Sequence, residues 1–251
     1  MIFQTWRKVL IQDINFKMQL FYLPEIKIEK EIQSFGKDES RHLHKVLRKS
    51  VGDEINITNG KNKLFRGEIT LISKNNCEFK ILNSINKNSL PYSLHIGISI
   101  LKSNERFEWF LEKSSEIGIT EITPLICDRT QQKYLKLNRL EKILISGMKQ
   151  SLKTFLPKLN PPTALNEFIN QNLNGNLFVA HCNQGEKKPL LKLIEPNSKN
   201  TLLIGPEGDF TPKEIKLCND KKFRDVSLGE TRLRAETAGI VACHTFSIAN
   251  M

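Results

Sequence analysis

Residues 201–240 hold two short apolar runs, each stopped by a glycine turn, with a short helix between them and a long one after. Few folds accept that pattern. Leu202-Leu203-Ile204 is too short for anything but a buried strand. It breaks at Gly205-Pro206-Glu207-Gly208, where the glycines admit positive φ and close approach of another group. Thr211-Pro212-Lys213-Glu214 then predicts a helix start, with Thr at the N-cap, Pro at the first helical position and Glu completing a capping box. Residues 223–228 predict a second strand, stopped by Gly229. From about Leu233, apolar residues at Ala235, Ala238, Ile240, Val241, Ala242, Phe246 and Ile248 run nearly all round the next helix and predict that it is mostly buried.

Strands that open into glycine loops are where α/β sheets bind ligands, although tight turns between strand and helix use glycines equally well. Charge favours a site, since Glu230, Arg232, Arg234 and Glu236 crowd the mouth of an otherwise apolar helix. No Gly-Lys-Ser/Thr follows the first loop, so it is not a Walker A loop, and the dinucleotide fingerprint G-x-G-x-x-G is absent.

IGPEGDFT (204–211), followed by SLGETRLRAETA (227–238), resembles the paired signature of the RsmE family, 16S ribosomal RNA uridine-N3 methyltransferases of the SPOUT class. The resemblance runs from Met18 through nearly the whole remaining chain. Many members carry glycine at 209 and arginine at 231, where this chain has Asp209 and Thr231, with Arg232 next to it. The resemblance implies S-adenosyl-L-methionine as cofactor, an α/β domain whose parallel sheet ends in a trefoil knot, an N-terminal PUA-like β-barrel, and a homodimer. An adenine slot of aliphatic side chains and backbone groups is then expected at Ala180, Ile204, Gly205, Gly208, Ser227, Leu228, Gly229 and Leu233. Arg234 is expected to hold developing negative charge, Glu236 to take a proton or orient Arg234, and Thr237 to cap the final helix.

At 251 residues and 28.9 kDa the chain suits two modest domains or one large one. A net charge of +11 points to a polyanionic partner, most simply nucleic acid. Five scattered cysteines without a C-x-x-C pair read as reduced thiols and imply neither a zinc site nor a disulfide framework, so no metal is expected. No apolar run approaches a membrane span and the N-terminus lacks a signal-peptide core, which predicts a cytoplasmic protein. Residues 1–17 fit nothing that follows and read as a non-native or disordered extension.

Residues 18–88 are strand-rich, with strands at 20–23, 54–58, 63–72 and 77–82, a helix over 38–49, and a hairpin turn at Asn59-Gly60. Arg41, Lys45 and Arg48, with His42, His44 and Lys49, give that helix a basic face suited to RNA. Residues 86–90 read as a linker. From 91 to 251 strands and helices alternate, as in an α/β domain: strands at 94–100, 121–127 and 177–180, helices at 104–117 and 137–152. The stretch 129–158 carries eight Lys or Arg against the single acid Glu141. Such an excess is self-repelling unless a phosphate backbone relieves it. Lys136, Arg139, Lys142, Lys149 and Lys153 are the expected RNA contacts. His95, His181 and His244 read as structural.

The combined expectation is methylation of a uridine N3 in 16S rRNA of the small ribosomal subunit. Alternatives are a non-catalytic RNA-binding protein, a methyltransferase of this class acting on another RNA, and a nucleotide-binding α/β enzyme, the last disfavoured because no lysine in 205–208 meets a phosphate.

Overall fold

The computed structural model describes residues 19–27 and 31–251, so the expected extension at 1–17 lies outside the described residues. The chain divides into two compact units, one reaching to Lys87 and joined by Leu152–Phe155, the other formed by Asn88–Ser151 and Leu156–Met251.

The first unit is a curled sheet of β1 (Leu20–Tyr22), β2 (Ile32–Phe35), β3 (Glu54–Thr58), β4 (Lys63–Ile72) and β5 (Cys77–Asn86), in the order β1-β3-β4-β5-β2. Only β1 and β3 run parallel; the other pairs are antiparallel. Inward residues alternate along β3 and β4, and Phe21, Phe35, Leu43, Ile57, Phe65 and Phe79 close over one core. Register shifts at Arg66/Gly67 and Ile69/Leu71 bend the long β4–β5 ribbon. Sequence reading missed β2 because its first inward residue is polar: buried Gln33 donates to the Lys27 carbonyl at 2.7 Å. The helix expected over 38–49 is shorter, a turn of α-helix α1 (Lys37–Arg41) continuing as a π-turn over His42–Val46. Arg48 at φ 52 ends it. The four residues 152–155 bind this unit through backbone: the Thr154 carbonyl accepts from Asn62 N at 2.9 Å, and Lys61 bridges to Phe155.

The second unit is an all-parallel sheet with helices on both faces. Its strands are β6 (Ser93–Ser99), β7 (Glu121–Ile126), β8 (Lys158–Leu159), β9 (Thr163–Ala164), β10 (Asn176–Ala180), β11 (Lys188–Pro189), β12 (Lys199–Ile204) and β13 (Arg224–Ser227). The order is β11-β13-β10-β12-β6-β7-β8, with β9 also on β7. Helices α2 (Asn104–Ile117), α3 (Leu137–Gln150) and α6 (Ala235–Ala249) contribute to one core, and α4 (Leu165–Ile169) and α5 (Pro212–Asp220) to the other. Alternate strand residues supply the two faces: Leu202 and Ile204 enter the first core, Leu203 the second.

α6 departs from expectation. It buries Ala238, Ala242, Cys243 and Phe246, yet Ile240 and Val241 are only half-buried and Ile248 is exposed. One apolar stripe therefore faces outward. No helix among the described residues is long and apolar enough to cross a membrane.

Candidate active site

Ala180 pairs in register with Ile204 on one side and Val226 on the other, so β10, β12 and β13 end at one level. Their loops leave the carboxyl edge of the sheet together, where open α/β sheets form ligand crevices. A cavity of about 650 Å³ lies there. Its walls include Ala180, Ile204, Gly205, Ser227, Leu228, Gly229, Leu233 and Arg234. The structure thus gathers seven of the eight residues expected around the cofactor. Gly208 is outside the lining; its carbonyl accepts from Arg129 Nη1 at 2.6 Å.

The first loop is shaped by side chains. The Thr211 hydroxyl accepts from Glu214 N at 3.2 Å while the Glu214 carboxylate accepts from Thr211 N at 2.8 Å, the capping box that the sequence predicts. The glycines act differently from expectation. Gly205 and Gly208 do not have positive φ; Asp209 does, at 66°. Asp tolerates that region through local hydrogen bonds, and here its carboxylate accepts from Phe210 N at 2.9 Å and from Cys182 N at 2.8 Å. One side chain thereby ties two of the three loops together. Gly205 is required by packing, since a Cβ would stand 3.0 Å from the Phe210 ring. Gly229 has φ 151, and a Cβ there would project into open space. The Ser227 hydroxyl donates to the Gly229 carbonyl at 2.8 Å and tightens this turn.

Arg234 occupies the N-cap position of α6, lines the cavity, and has no ion pair or side-chain hydrogen bond among the described residues. Salt bridges to Glu230 or Glu236 are the expected structural use of this arginine, and neither forms. Glu236 instead lies 3.8 Å from Arg106 Nε, is buried, and leaves Oε2 without a partner. Glu236 therefore does not orient Arg234, and neither it nor Thr237 is in the cavity lining. Thr237 does not cap the helix start, because it sits inside the first turn of α6, beyond the N-cap.

Sequence reasoning missed Arg106, His181, Cys182, Lys187, Glu207 and Asp209, all of which line the cavity. His181 through Lys187 follow directly from β10, so the rule that sends ligands to strand ends was signal enough. Arg106 is an ordinary first-turn residue of a helix about a hundred positions earlier, and nothing local marks it. His181 is almost fully buried with Nε2 3.3 Å from Asp225 Oδ1, yet neither ring nitrogen makes an aligned hydrogen bond. Burial pushes the Cys127 and Cys218 thiols up to about 12 and Cys77 to about 11, so none is a thiolate nucleophile at neutral pH. Among the described residues no group of three or more His, Cys, Asp or Glu is arranged to hold a metal.

The basic stretch is less lopsided in space than in sequence. Arg139 pairs with Glu108 at 2.6 Å and Lys158 with Glu121 at 3.0 Å. Lys136 is the N-cap residue of α3, Lys142 lies exposed on that helix, and Lys149 is in its last turn. Lys153 belongs to the first unit, as do the exposed Arg41, Lys45 and Arg48.

Residues 88–247 match the family model described as an RNA methyltransferase domain, and residues 35–82 the one described as an RNA methyltransferase PUA domain. The ribosomal RNA small subunit methyltransferase E of Rickettsia conorii is 30% identical over 207 residues, covering 80% of this chain and 84% of that protein. The crystal structure of the ribosomal RNA small subunit methyltransferase E from Neisseria gonorrhoeae, bound to S-adenosyl methionine, matches with TM-score 0.84 at 30% identity, over 93% of this chain and 98% of that one. A Legionella pneumophila methyltransferase in complex with bound SAM matches with TM-score 0.85 at 27% identity, over 93% and 98% of the two chains. The fold is that of a parallel-sheet α/β methyltransferase carrying an N-terminal PUA-like curled sheet, and the chain belongs to the ribosomal RNA small subunit methyltransferase E family.

Proposed function

We propose that this protein transfers a methyl group from S-adenosylmethionine to N3 of a uridine in 16S ribosomal RNA. The observation that carries the reading is the cavity at the carboxyl edge of β10, β12 and β13, with an unpaired arginine at its mouth. Its residues fit the cofactor. Aliphatic Ala180, Ile204, Val226, Leu228 and Leu233 make an apolar slot, and the 205–209 and 227–229 backbones offer amides and carbonyls to a purine edge. The His181 side chain, buried with Nε2 3.3 Å from Asp225 Oδ1 but with no aligned hydrogen bond at either ring nitrogen, offers Nδ1 as a polar atom to a ligand. When bound, S-adenosylmethionine supplies an electrophilic methyl group.

The chain's own work concerns the acceptor. A uridine N3 carries a proton and is neutral at physiological pH, so its activation spreads negative charge over the pyrimidine carbonyls. Arg234, exposed at the start of α6 and without an ion pair among the described residues, is the group we assign to that charge. Residues 18–88 act as the PUA-like RNA-binding unit and 91–251 as the methyltransferase. RNA is held by Arg41, Lys45 and Arg48 in the first, and by Lys136, Arg139, Lys142 and Lys149 in the second, with Lys153 assisting. The substrate is read as the small-subunit RNA, and the enzyme as a homodimer that buries the outward stripe of α6 at Ile240, Val241 and Ile248. A monomer in sedimentation at micromolar concentration removes the dimer.

Calorimetry with S-adenosylhomocysteine, followed by mass mapping of 16S rRNA treated with enzyme and S-adenosylmethionine, tests the whole reading. Binding of the cofactor product and one methyl group on a uridine base are expected. RNA binding with no affinity for S-adenosylhomocysteine would instead show a non-catalytic RNA-binding protein.

A further inference from the structure

Methyl transfer to a ring nitrogen is an in-line displacement, so acceptor and donor must meet across a shared wall. Beside the cofactor cavity lies a second cavity of about 380 Å³, lined by Lys102, Ser103, Arg106, Gln131 and Glu207. Arg106 and Glu207 line both cavities. These shared residues carry opposite charges. Alkylating a neutral uridine nitrogen has two electrostatic requirements, and they too are opposite in sign. A base must take the N3 proton, and a cation must hold the charge that develops on the carbonyl oxygens.

The settings of the two side chains suit those tasks. Glu207 is exposed on the loop after β12, and its Oε1 accepts from Lys102 N at 2.9 Å. That bond orients the carboxylate, and among the described residues Oε2 has no hydrogen-bond partner. Arg106 sits in the first turn of α2, 3.8 Å from Glu236 Oε1, too far for a hydrogen bond. The buried Glu236 therefore holds the guanidinium by charge and leaves its N–H groups available to a ligand.

Resting on the methyltransferase reading above, we propose that the second cavity receives the target uridine, with Glu207 as the base for its N3 proton. Arg106, positioned by Glu236, holds the charge on the uridine carbonyls alongside Arg234. In the step, the N3–H bond breaks and its proton passes to the Glu207 carboxylate. The electron pair left on nitrogen forms the N–CH₃ bond as the S–CH₃ bond breaks, and that second pair stays on sulfur. The protonated carboxyl then returns its proton to solvent.

The test uses the full chain with three readouts: affinity for S-adenosylhomocysteine, affinity for a 16S RNA fragment, and single-turnover rate against pH. Glu207→Gln keeps an acceptor for Lys102 N while removing the base. Its rate at neutral pH is expected to fall about a hundredfold, with S-adenosylhomocysteine affinity kept within about threefold. The rate of this variant should then climb with pH at unit slope, because only uridine ionised by solvent reacts. Gln131→Phe fills the second cavity from an exposed loop and is expected to weaken RNA binding about tenfold without changing cofactor affinity. A wild-type rate and pH profile in Glu207→Gln, or unchanged RNA affinity in Gln131→Phe, overturns this proposal while wild-type enzyme still methylates. Wild-type protein that neither binds S-adenosylhomocysteine nor methylates RNA overturns the methyltransferase reading and this proposal with it.

Discussion

The two ends of the parallel sheet treat polar groups in opposite ways. At the amino end, Glu121 accepts from Asn160 Nδ2 at 2.7 Å and Lys158 Nζ at 3.0 Å, and Asn160 also reaches the Thr123 hydroxyl at 2.8 Å. His95 Nε2 meets that hydroxyl at 2.7 Å, and Arg224 donates to Asn176 at 3.0 Å. At the carboxyl end, Arg234 has no ion pair among the described residues, Glu236 keeps one buried oxygen unpartnered, and His181 has Asp225 at 3.3 Å without an aligned hydrogen bond. Unsatisfied buried groups cost stability and are rare in folded proteins. The carboxyl end, which holds the cavity and an exposed arginine at its rim, is shaped for a ligand, and the amino end for holding the strands together. Substitutions at the carboxyl end should therefore damage binding and turnover with little loss of stability. At the amino end the reverse should hold.

The largest effect is expected from Gly229→Val. Valine is strained at φ 151, and its side chain would enter the open space of the slot. S-adenosylhomocysteine affinity should drop on the order of a thousandfold, while the thermal midpoint falls by only the several degrees that backbone strain at this exposed turn costs. Calorimetry and a melting curve on the same sample check both halves. Unchanged affinity would remove Gly229 from the site.

Arg234→Ala comes next. Turnover should fall by about a hundredfold, the scale of one lost charge-stabilising donor, with much less change in cofactor affinity. Single-turnover rates beside S-adenosylhomocysteine titration separate the two. Near-normal methylation would move that role to Arg232, whose guanidinium reaches only the Glu207 carbonyl at 3.4 Å.

The paired-versus-unpaired distinction can be sharpened on α3. Lys136 and Lys142 have no ion pair among the described residues, whereas Arg139 is held by Glu108. Reversing Lys136 and Lys142 to Glu should weaken RNA binding by about tenfold at moderate salt and flatten its salt dependence by about two counterions. Arg139→Glu should cost less per residue, because that cation is already partly neutralised. Wild-type affinity should itself fall roughly a thousandfold between about 50 and 200 mM salt if about six phosphates are contacted. Equal effects from all three reversals would show that pairing with Glu108 does not screen Arg139 from RNA.

What the sequence disclosed follows the same divide. Local rules sufficed for several elements with strong caps and turns, and overran at the 38–49 helix. The N-cap box at Thr211, helix α2 with its Gly118 stop, and the hairpin of β3 and β4 around Asn59-Gly60 all follow from periodicity, caps and turn residues. The cavity was legible through its two glycine loops, although only Gly229 is there for its backbone bend; Gly205 makes room for Phe210 and Gly208 lies outside the lining. The rest depended on contacts between distant segments. Glu236 chose Arg106 over the nearby Arg234, and Asp209 took the left-handed position expected of a glycine and used its carboxylate to bind the neighbouring loop. Residues 152–155 join the first unit through backbone hydrogen bonds, which no side-chain pattern announces.

The smallest effect concerns His95 at the amino end, where stability and not binding is at stake. Burial lowers the His95 pKa below its ordinary 6.5; Glu121 opposes this and Lys158 reinforces it. In the unfolded chain the imidazole regains its ordinary affinity for protons. Below about pH 6.5 the unfolded state therefore binds more protons than the folded one, and stability declines as pH falls from 6.5 toward the lowered folded value. The contribution is fully present above the unfolded pKa. Urea midpoints measured at neutral pH and again near pH 5.5 should show this decline in the wild type and a shallower one in His95→Gln. Gln can still address the Thr123 hydroxyl, so the variant should fold, and its S-adenosylhomocysteine affinity at neutral pH should match the wild type. Parallel pH slopes in the two proteins would place the acid sensitivity elsewhere. A loss of cofactor affinity in His95→Gln would break the division between the two ends of the sheet.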